Sequence, residues 1–88
     1  MTFRFSGVLL RFVNFQKEIP IEAGTIGAGL ELLVAREPAL KPVLFDDGGA
    51  VRATHRMFLN GEQLTDEEKR KAVGPADTVE ILTAIAGG

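Results

Sequence analysis

The sequence contains no cysteine, tryptophan or tyrosine, and His55 is its single histidine. Without cysteine the chain cannot form a disulfide, a thiolate metal site or a thiol nucleophile, and no side chain can carry a persulfide. One histidine cannot build a histidine-rich zinc site, so we expect no metal centre. These absences leave too little side-chain chemistry for a stand-alone enzyme.

Long hydrophobic runs and an excess of positive charge are also absent. No apolar run approaches the roughly 20 residues that span a membrane, and Arg4 lies where a signal peptide would need its apolar segment. Ten Lys and Arg against 12 Asp and Glu give a net charge of −2, whereas nucleic-acid-binding surfaces are typically basic. With 88 residues, 45% of them hydrophobic, we expect one cytoplasmic globular domain whose partners are neither nucleic acids nor membranes.

Hydrophobic periodicity predicts a hairpin followed by a helix. Alternation at residues 3–5 indicates a first strand, whose apolar character continues to Phe15, and a second strand follows a turn at residues 14–17. Pro20 lacks an amide donor, which favours an edge position for that second strand. A helix from about 26 to 37 begins after Thr25, a good N-cap, and ends before Pro38. Glycines 27 and 29 in its first turns predict close packing on the sheet.

The second half of the chain predicts two more strands and a short helix. Residues 38–50 are typical of an irregular connection, with a solvated turn at Asp46-Asp47. A third strand lies within 51–60, and Asn60-Gly61 is a turn, with a very short strand to follow at 63–64. Thr65 to Glu68 forms a capping box that opens the short helix. The last strand covers residues 78–84.

This order of elements predicts an α+β fold of the ubiquitin-like β-grasp type. Its mixed sheet of four to five strands carries one main helix across one face and a short second helix, with the first and last strands central and parallel. The β-grasp domain covers residues 1–83, and residues 84–88 form a flexible tail that ends in Gly-Gly.

The tail is the strongest candidate for function. Ala84, Ile85, Ala86, Gly87 and Gly88 are uncharged and mostly small, so they can thread a narrow channel where a larger side chain would clash. The alternative is a frayed terminus. His55 has no carboxylate partner nearby in sequence, which favours a surface or sheet-end histidine without a catalytic role. The glycines from 24 to 29 do not match a dinucleotide-binding fingerprint.

Strand alternation also predicts a docking surface on the open face of the sheet. If Met57 and Leu59 face the helix, Phe58 and Leu82 face the other way and lie side by side near the tail. Arg4 and Arg11, both placed on the first strand, would form a polar rim. The alternative places Phe58 in the core, under the connection at 38–50.

Several segments resemble the ThiS/MoaD-type sulfur-carrier proteins, which are relatives of ubiquitin. The resemblance covers essentially the whole chain. It is carried by the Leu59-Asn60-Gly61 turn with Gln63-Leu64, and above all by Asp77-Thr78-Val79-Glu80-Ile81-Leu82 running into Ala86-Gly87-Gly88. The stretch from Gln16 to Ala28 is similar to carriers of the cysteine-synthesis branch, and the length is nearest that branch and the molybdopterin branch. Thr83-Ala84-Ile85 departs from the proline that many members have there.

The resemblance implies a non-enzymatic protein co-substrate with no bound cofactor. A ubiquitin-activating-type enzyme would use ATP and magnesium to adenylate the Gly88 carboxylate. A persulfide donor would then supply sulfur to form a thiocarboxylate, and a downstream biosynthetic enzyme would take that sulfur. Two alternatives stay open: a ubiquitin-like modifier joined through Gly88 to lysines of target proteins, and an interaction domain whose Gly-Gly ending is accidental.

Overall fold

Five strands form one mixed sheet in the computed structural model, which describes residues 1–65, 68 and 70–83. The strands are β1 (Thr2–Phe5), β2 (Glu18–Pro20), β3 (His55–Leu59), β4 (Glu62–Gln63) and β5 (Thr78–Thr83). The α-helices are α1 (Ile26–Arg36) and the single turn α2 (Lys41–Leu44), and 3-10 helices cover Gly7–Phe12 and Pro38–Leu40.

The sheet order is β2-β1-β5-β3-β4, with β1 and β5 parallel and all other pairs antiparallel. The first and last strands are therefore central neighbours, which confirms the β-grasp prediction. Pro20 lies on the edge strand β2, where a residue without an amide donor interrupts no further pairing.

Helix α1 begins and ends where the sequence predicts. The Thr25 hydroxyl accepts a hydrogen bond from the Ala28 amide at 3.2 Å, and the helix stops at Arg36, shortly before Pro38. Its buried face includes Gly29, where an added Cβ would lie 1.6 Å from the Met1 Cε atom. The predicted close packing is confirmed at this glycine, because no larger residue fits without a shift of Met1.

The core lies between α1 and one face of the sheet. Alternate residues of the strands point into it, and several are completely buried: Phe3, Ile19, Val79 and Ile81 from the sheet and Ile26 and Leu33 from the helix. Met57 and Leu59 are buried beside them, whereas Phe58 is only half-buried on the opposite face. The predicted strand alternation is thus confirmed in both β3 and β5.

The prediction that the first strand continues beyond residue 5 is wrong. Gly7 adopts φ +61°, a conformation open to glycine at little cost, and the chain turns into a 3-10 helix that buries Leu9. Arg11 therefore lies on this helix and is exposed, instead of lying on β1 beside Arg4. The apolar residues after Phe5 therefore belong to a short helix that packs against the side of the core.

Residues 38–50 are more regular than predicted. A 3-10 helix and α2 bury Leu40 and Leu44, and β3 covers His55–Leu59, within the predicted range of 51–60. The Asp46 turn is confirmed, since one Asp46 carboxylate oxygen accepts from the Gly48 and Ala50 amides at 2.9 and 3.0 Å.

Only one of the two hydrogen bonds of the predicted capping box is present, because the Glu68 amide donates to the Thr65 carbonyl oxygen at 3.0 Å and not to the Thr65 hydroxyl. One Glu68 carboxylate oxygen accepts hydrogen bonds from the Thr65 amide at 3.1 Å and from the Thr65 hydroxyl at 3.0 Å. The hydrogen bond from the Thr65 amide holds the pKa of Glu68 below its usual range. The predicted short helix itself falls partly on residues 66, 67 and 69, which lie outside the described residues.

Candidate functional site

The candidate site lies at the end of the central strands where β5 finishes, and not at a lateral edge of the sheet. Thr83 is the last residue of β5, and the predicted tail, Ala84 to Gly88, lies outside the described residues. Because β1 is parallel to β5 and β3 is antiparallel to both, the end of β1 and the start of β3 lie at the same end of the sheet as Thr83. The surroundings of Thr83 are therefore built from three strands.

The side chain of His55 connects the end of β5 to α2 through two hydrogen bonds. Its side chain is 8% exposed, and Nε2 lies 2.8 Å from the Val43 carbonyl oxygen while Nδ1 lies 3.1 Å from the Thr83 hydroxyl. A carbonyl oxygen can only accept, so Nε2 donates to it, and Nδ1 shares a second hydrogen bond with the Thr83 hydroxyl. The histidine lies at a sheet end, as one of the two predicted places, but it is buried and holds the last residue before the tail.

The open face of the sheet carries one row of side chains across all five strands. In register order the row is Glu18, Arg4, Glu80, Phe58 and Gln63. The Arg4 Nε atom lies 3.5 Å from a Glu18 carboxylate oxygen. Because both side chains are more than half exposed, this pair contributes little to stability, and it leaves a polar border along β1 and β2.

Phe58 and Leu82 are diagonal neighbours on this open face. Phe58 lies opposite Glu80, and Leu82, two residues further along β5, lies opposite Arg56. Such diagonal pairs are within reach of an aromatic side chain, and both residues are half-buried. The structure thus brings Phe58, Leu82 and Arg4 onto one face and places Arg11 elsewhere, and the binding role of all four stays a prediction.

A polar network fixes the other end of β5. The Asn60 amide group donates to one Asp77 carboxylate oxygen at 2.9 Å, and the Gly74 amide donates to the other at 2.8 Å. The Asn60 side-chain oxygen in turn accepts from the Thr78 amide at 2.9 Å. The Gly74 hydrogen bond, followed by that of Asn60, holds the pKa of Asp77 below its usual range. The network sets the register of β3 against β5, and with it the position of Thr83.

The described surface offers no obvious ligand site. Among residues 1–65, 68 and 70–83, no three or more His, Cys, Asp or Glu side chains lie close enough to hold a metal ion. A groove of about 910 Å³ is lined by residues of α1, α2 and the segment 45–52 and by none from β5. Within the same residues, no helix is long and apolar enough to cross a membrane.

The central parallel pair, the capped helix across the sheet and the strand that leads into the tail define the chain as a β-grasp protein. Two solved structures share this fold over nearly their full length. SAMP1 from Haloferax volcanii gives a TM-score of 0.86 at 21% identity, covering 99% of this chain and 97% of that chain. CysO from Mycobacterium tuberculosis gives 0.81 at 23% identity, covering 96% and 98%.

A third similar structure contains a complex. The BexX/CysO complex from Amycolatopsis orientalis matches with a TM-score of 0.85 at 20% identity, covering 99% of this chain and 98% of that chain. The comparison with curated protein sequences gave no match.

The chain belongs to the ThiS family, whose model matches residues 4–88. The match includes β5 and the complete Gly-Gly ending, and it confirms the family predicted from the sequence. Membership supports the general part of the functional prediction, a small carrier protein from a family whose members are generally not enzymes.

Proposed function

We propose that this protein is a sulfur carrier that holds sulfur on the Gly88 carboxyl group. The observation that carries the proposal is the family match through residue 88, joined to a fold in which a firmly held central strand leads directly into the tail. The absence of cysteine agrees with it, because sulfur held on the main-chain terminus needs no side-chain thiol.

The proposed chemistry begins with activation of a poor electrophile. The Gly88 carboxylate attacks the α-phosphorus of ATP, pyrophosphate leaves, and an acyl-adenylate forms. A persulfide sulfur then attacks the acyl carbon and displaces AMP, which gives an acyl disulfide. A thiol reduces this disulfide, is itself oxidised to a disulfide, and leaves the thiocarboxylate.

Apart from the Gly88 carboxylate, every reactant in this series of reactions comes from outside the carrier. A ubiquitin-activating-type enzyme binds and uses ATP with magnesium, a persulfide donor supplies sulfur, a cellular thiol reduces the acyl disulfide, and a downstream biosynthetic enzyme consumes the sulfur of the thiocarboxylate. The carrier contributes a tail with only one bulky side chain, Ile85, and an open face on which Phe58 and Leu82 offer an apolar contact. Apolar side chains grouped on the open face of a sheet are typical of a protein-interaction surface.

The second candidate is a ubiquitin-like modifier joined through Gly88 to target lysines. It is favoured by the similarity to SAMP1, which is described as a small archaeal modifier protein. Both functions need the same adenylation, so they differ only in the nucleophile that receives the acyl group. Lysine adducts larger than the free protein in cell extracts would favour the modifier.

Adenylation is tested by ATP–pyrophosphate exchange with a purified activating-type enzyme from the same organism. We expect exchange with the wild-type chain and none after Gly88 is deleted or one residue is added behind it. Gly87→Val should also block exchange, since a branched Cβ would clash in a channel shaped for glycine. An unchanged unfolding curve for each variant is the control, and exchange that survives deletion of Gly88 would refute the proposal.

A further inference from the structure

Phe15 is displayed to solvent in an unfavourable backbone conformation. Its side chain is 70% exposed, and its φ of +59° lies in the left-handed region, as does that of Asn14 at +54°. Asparagine tolerates this region, but a bulky aromatic residue there is a genuine outlier. Neither burial of the ring nor the backbone preference of phenylalanine explains this position.

Hydrogen bonds hold the segment in this conformation. The Phe15 amide donates to the Leu10 carbonyl oxygen at 2.8 Å, and the Gln16 side-chain amide donates to the Val13 carbonyl oxygen at 2.8 Å and to a Glu37 carboxylate oxygen at 2.6 Å. Val13 itself is fully buried. The loop is therefore anchored to the core and to the end of α1, and it presents the ring at a fixed place.

The loop that carries Phe15 lies at the same end of the sheet as Thr83, where the tail begins. The loop at residues 6–17 joins the end of β1 to the start of β2, β1 runs parallel to β5 beside it, and the 3-10 helix of the loop contacts β5. Among the described residues, the large exposed hydrophobic side chains are Phe15, Val8 at 43% and Leu32 at 49%. Two of these three therefore belong to this one loop.

The length of the tail limits how far from Thr83 a partner that acts on Gly88 can lie. Five residues follow Thr83, and a fully extended chain of five residues spans at most about 18 Å. A partner that acts on the Gly88 carboxyl group must therefore come within that distance of Thr83. The surface beside Thr83, including the loop at 6–17, is then at or near its interface.

We propose that Phe15, supported by Val8, is a docking anchor for the enzyme that activates Gly88; this inference rests on the proposed function. The loop carries two exposed cationic side chains, Arg11 and Lys17, and no acidic residue between positions 6 and 17. The complementary surface is therefore an apolar pocket for the phenyl ring with acidic side chains at its rim. The strained backbone at Phe15 is retained because it aims the ring at this pocket.

The test compares stability and activation in the same three variants. Phe15→Asn removes the ring and suits the left-handed backbone, Phe15→Tyr keeps the ring, and Leu32→Ala removes an exposed hydrophobic residue from α1 as a matched control. For Phe15→Asn we expect the unfolding midpoint to rise by about 4 °C. Its KM in ATP–pyrophosphate exchange should rise by about 30-fold, as expected for loss of an interface anchor. The other two variants should keep the wild-type KM.

Opposite changes in stability and activation would support the anchor, because a residue with a merely structural role could not produce them. A wild-type KM for Phe15→Asn, while exchange still requires Gly88, would overturn the anchor and leave the proposed function standing. Self-association of the wild-type chain that Phe15→Asn abolishes, with KM unchanged, would assign the surface to a second copy and also overturn it. Failure of the wild-type chain to support exchange would overturn both proposals.

Discussion

Replacing Thr83 with valine tests how the base of the tail is held. Valine has nearly the same shape and is at least as favourable in a strand, so the change removes one hydroxyl group and little else. The Nδ1 atom of His55, now 3.1 Å from that hydroxyl, loses this hydrogen-bond partner, while Nε2 keeps its bond to the Val43 carbonyl oxygen.

The expected cost follows from the burial of the two partners. A buried polar atom left without a hydrogen bond costs about 1–3 kcal/mol. His55 is 8% exposed, but Thr83 is only half-buried, so water can partly replace the hydroxyl. We expect the lower end, about 1 kcal/mol, which in a domain of this size lowers the unfolding midpoint by about 4–8 °C.

Thermal unfolding followed by circular dichroism measures the loss, and hydrogen exchange localises it. Amides at the end where His55 pairs with Thr83 should exchange faster, whereas those near Leu59 should not. Thr78→Val, at the opposite end of β5, is the matched control. Equal midpoints for the two variants, or no change for Thr83→Val, would refute the idea that His55 holds the end of β5.

The remaining predictions concern the open face, the helix contact and acid stability. Phe58→Ala and Leu82→Ala should each weaken binding to the activating enzyme by about 30-fold, while unfolding in denaturant shows a loss of only about 1 kcal/mol; a much larger loss would place the residue in the core. Gly29→Ala should change the free energy of unfolding by less than about 1 kcal/mol, because the Met1 Cε atom that must move is the end of a flexible side chain and alanine is favoured over glycine inside a helix by about 1 kcal/mol; a loss of several times that value in urea would contradict this reading of the contact. The pKa of Asp77 is lowered in the folded state, so its contribution is fully present above the ordinary pKa of 3.8 and is lost as pH falls below it. Asp77→Asn should therefore flatten the acid side of the pH–stability profile, and an unchanged profile would count against the Asn60–Asp77–Gly74 network.

Local signals in the sequence predicted the elements that depend on local chemistry. Thr25 caps α1 and Pro38 ends it, and Asn60 and Gly61 both take positive φ, at 50° and 91°. The two-residue period of β5 separated core from open face correctly. These features are set by hydrogen bonds and backbone preferences within a few residues, and such preferences are visible in the sequence.

The features that the sequence did not reveal depend on contacts between distant segments. The apolar run after Phe5 has the composition of a strand, and the 3-10 helix that forms instead depends on the positive φ of Gly7 and on the burial of Leu9 in the core. His55 has partners 12 and 28 residues away, which no local pattern can show. The strain at Phe15 likewise results from hydrogen bonds that close the loop on α1.

The central claim is that Gly88 accepts sulfur, and intact-protein mass spectrometry tests it most directly. The wild-type chain is incubated with its activating enzyme, ATP, magnesium, a persulfide donor and a thiol reductant. The account predicts a species in which one oxygen is replaced by sulfur, with the change located at Gly88 by fragmentation and absent from a chain that lacks Gly88. A wild-type chain that is adenylated but never gains sulfur, or that gains it at any other residue, would contradict the account.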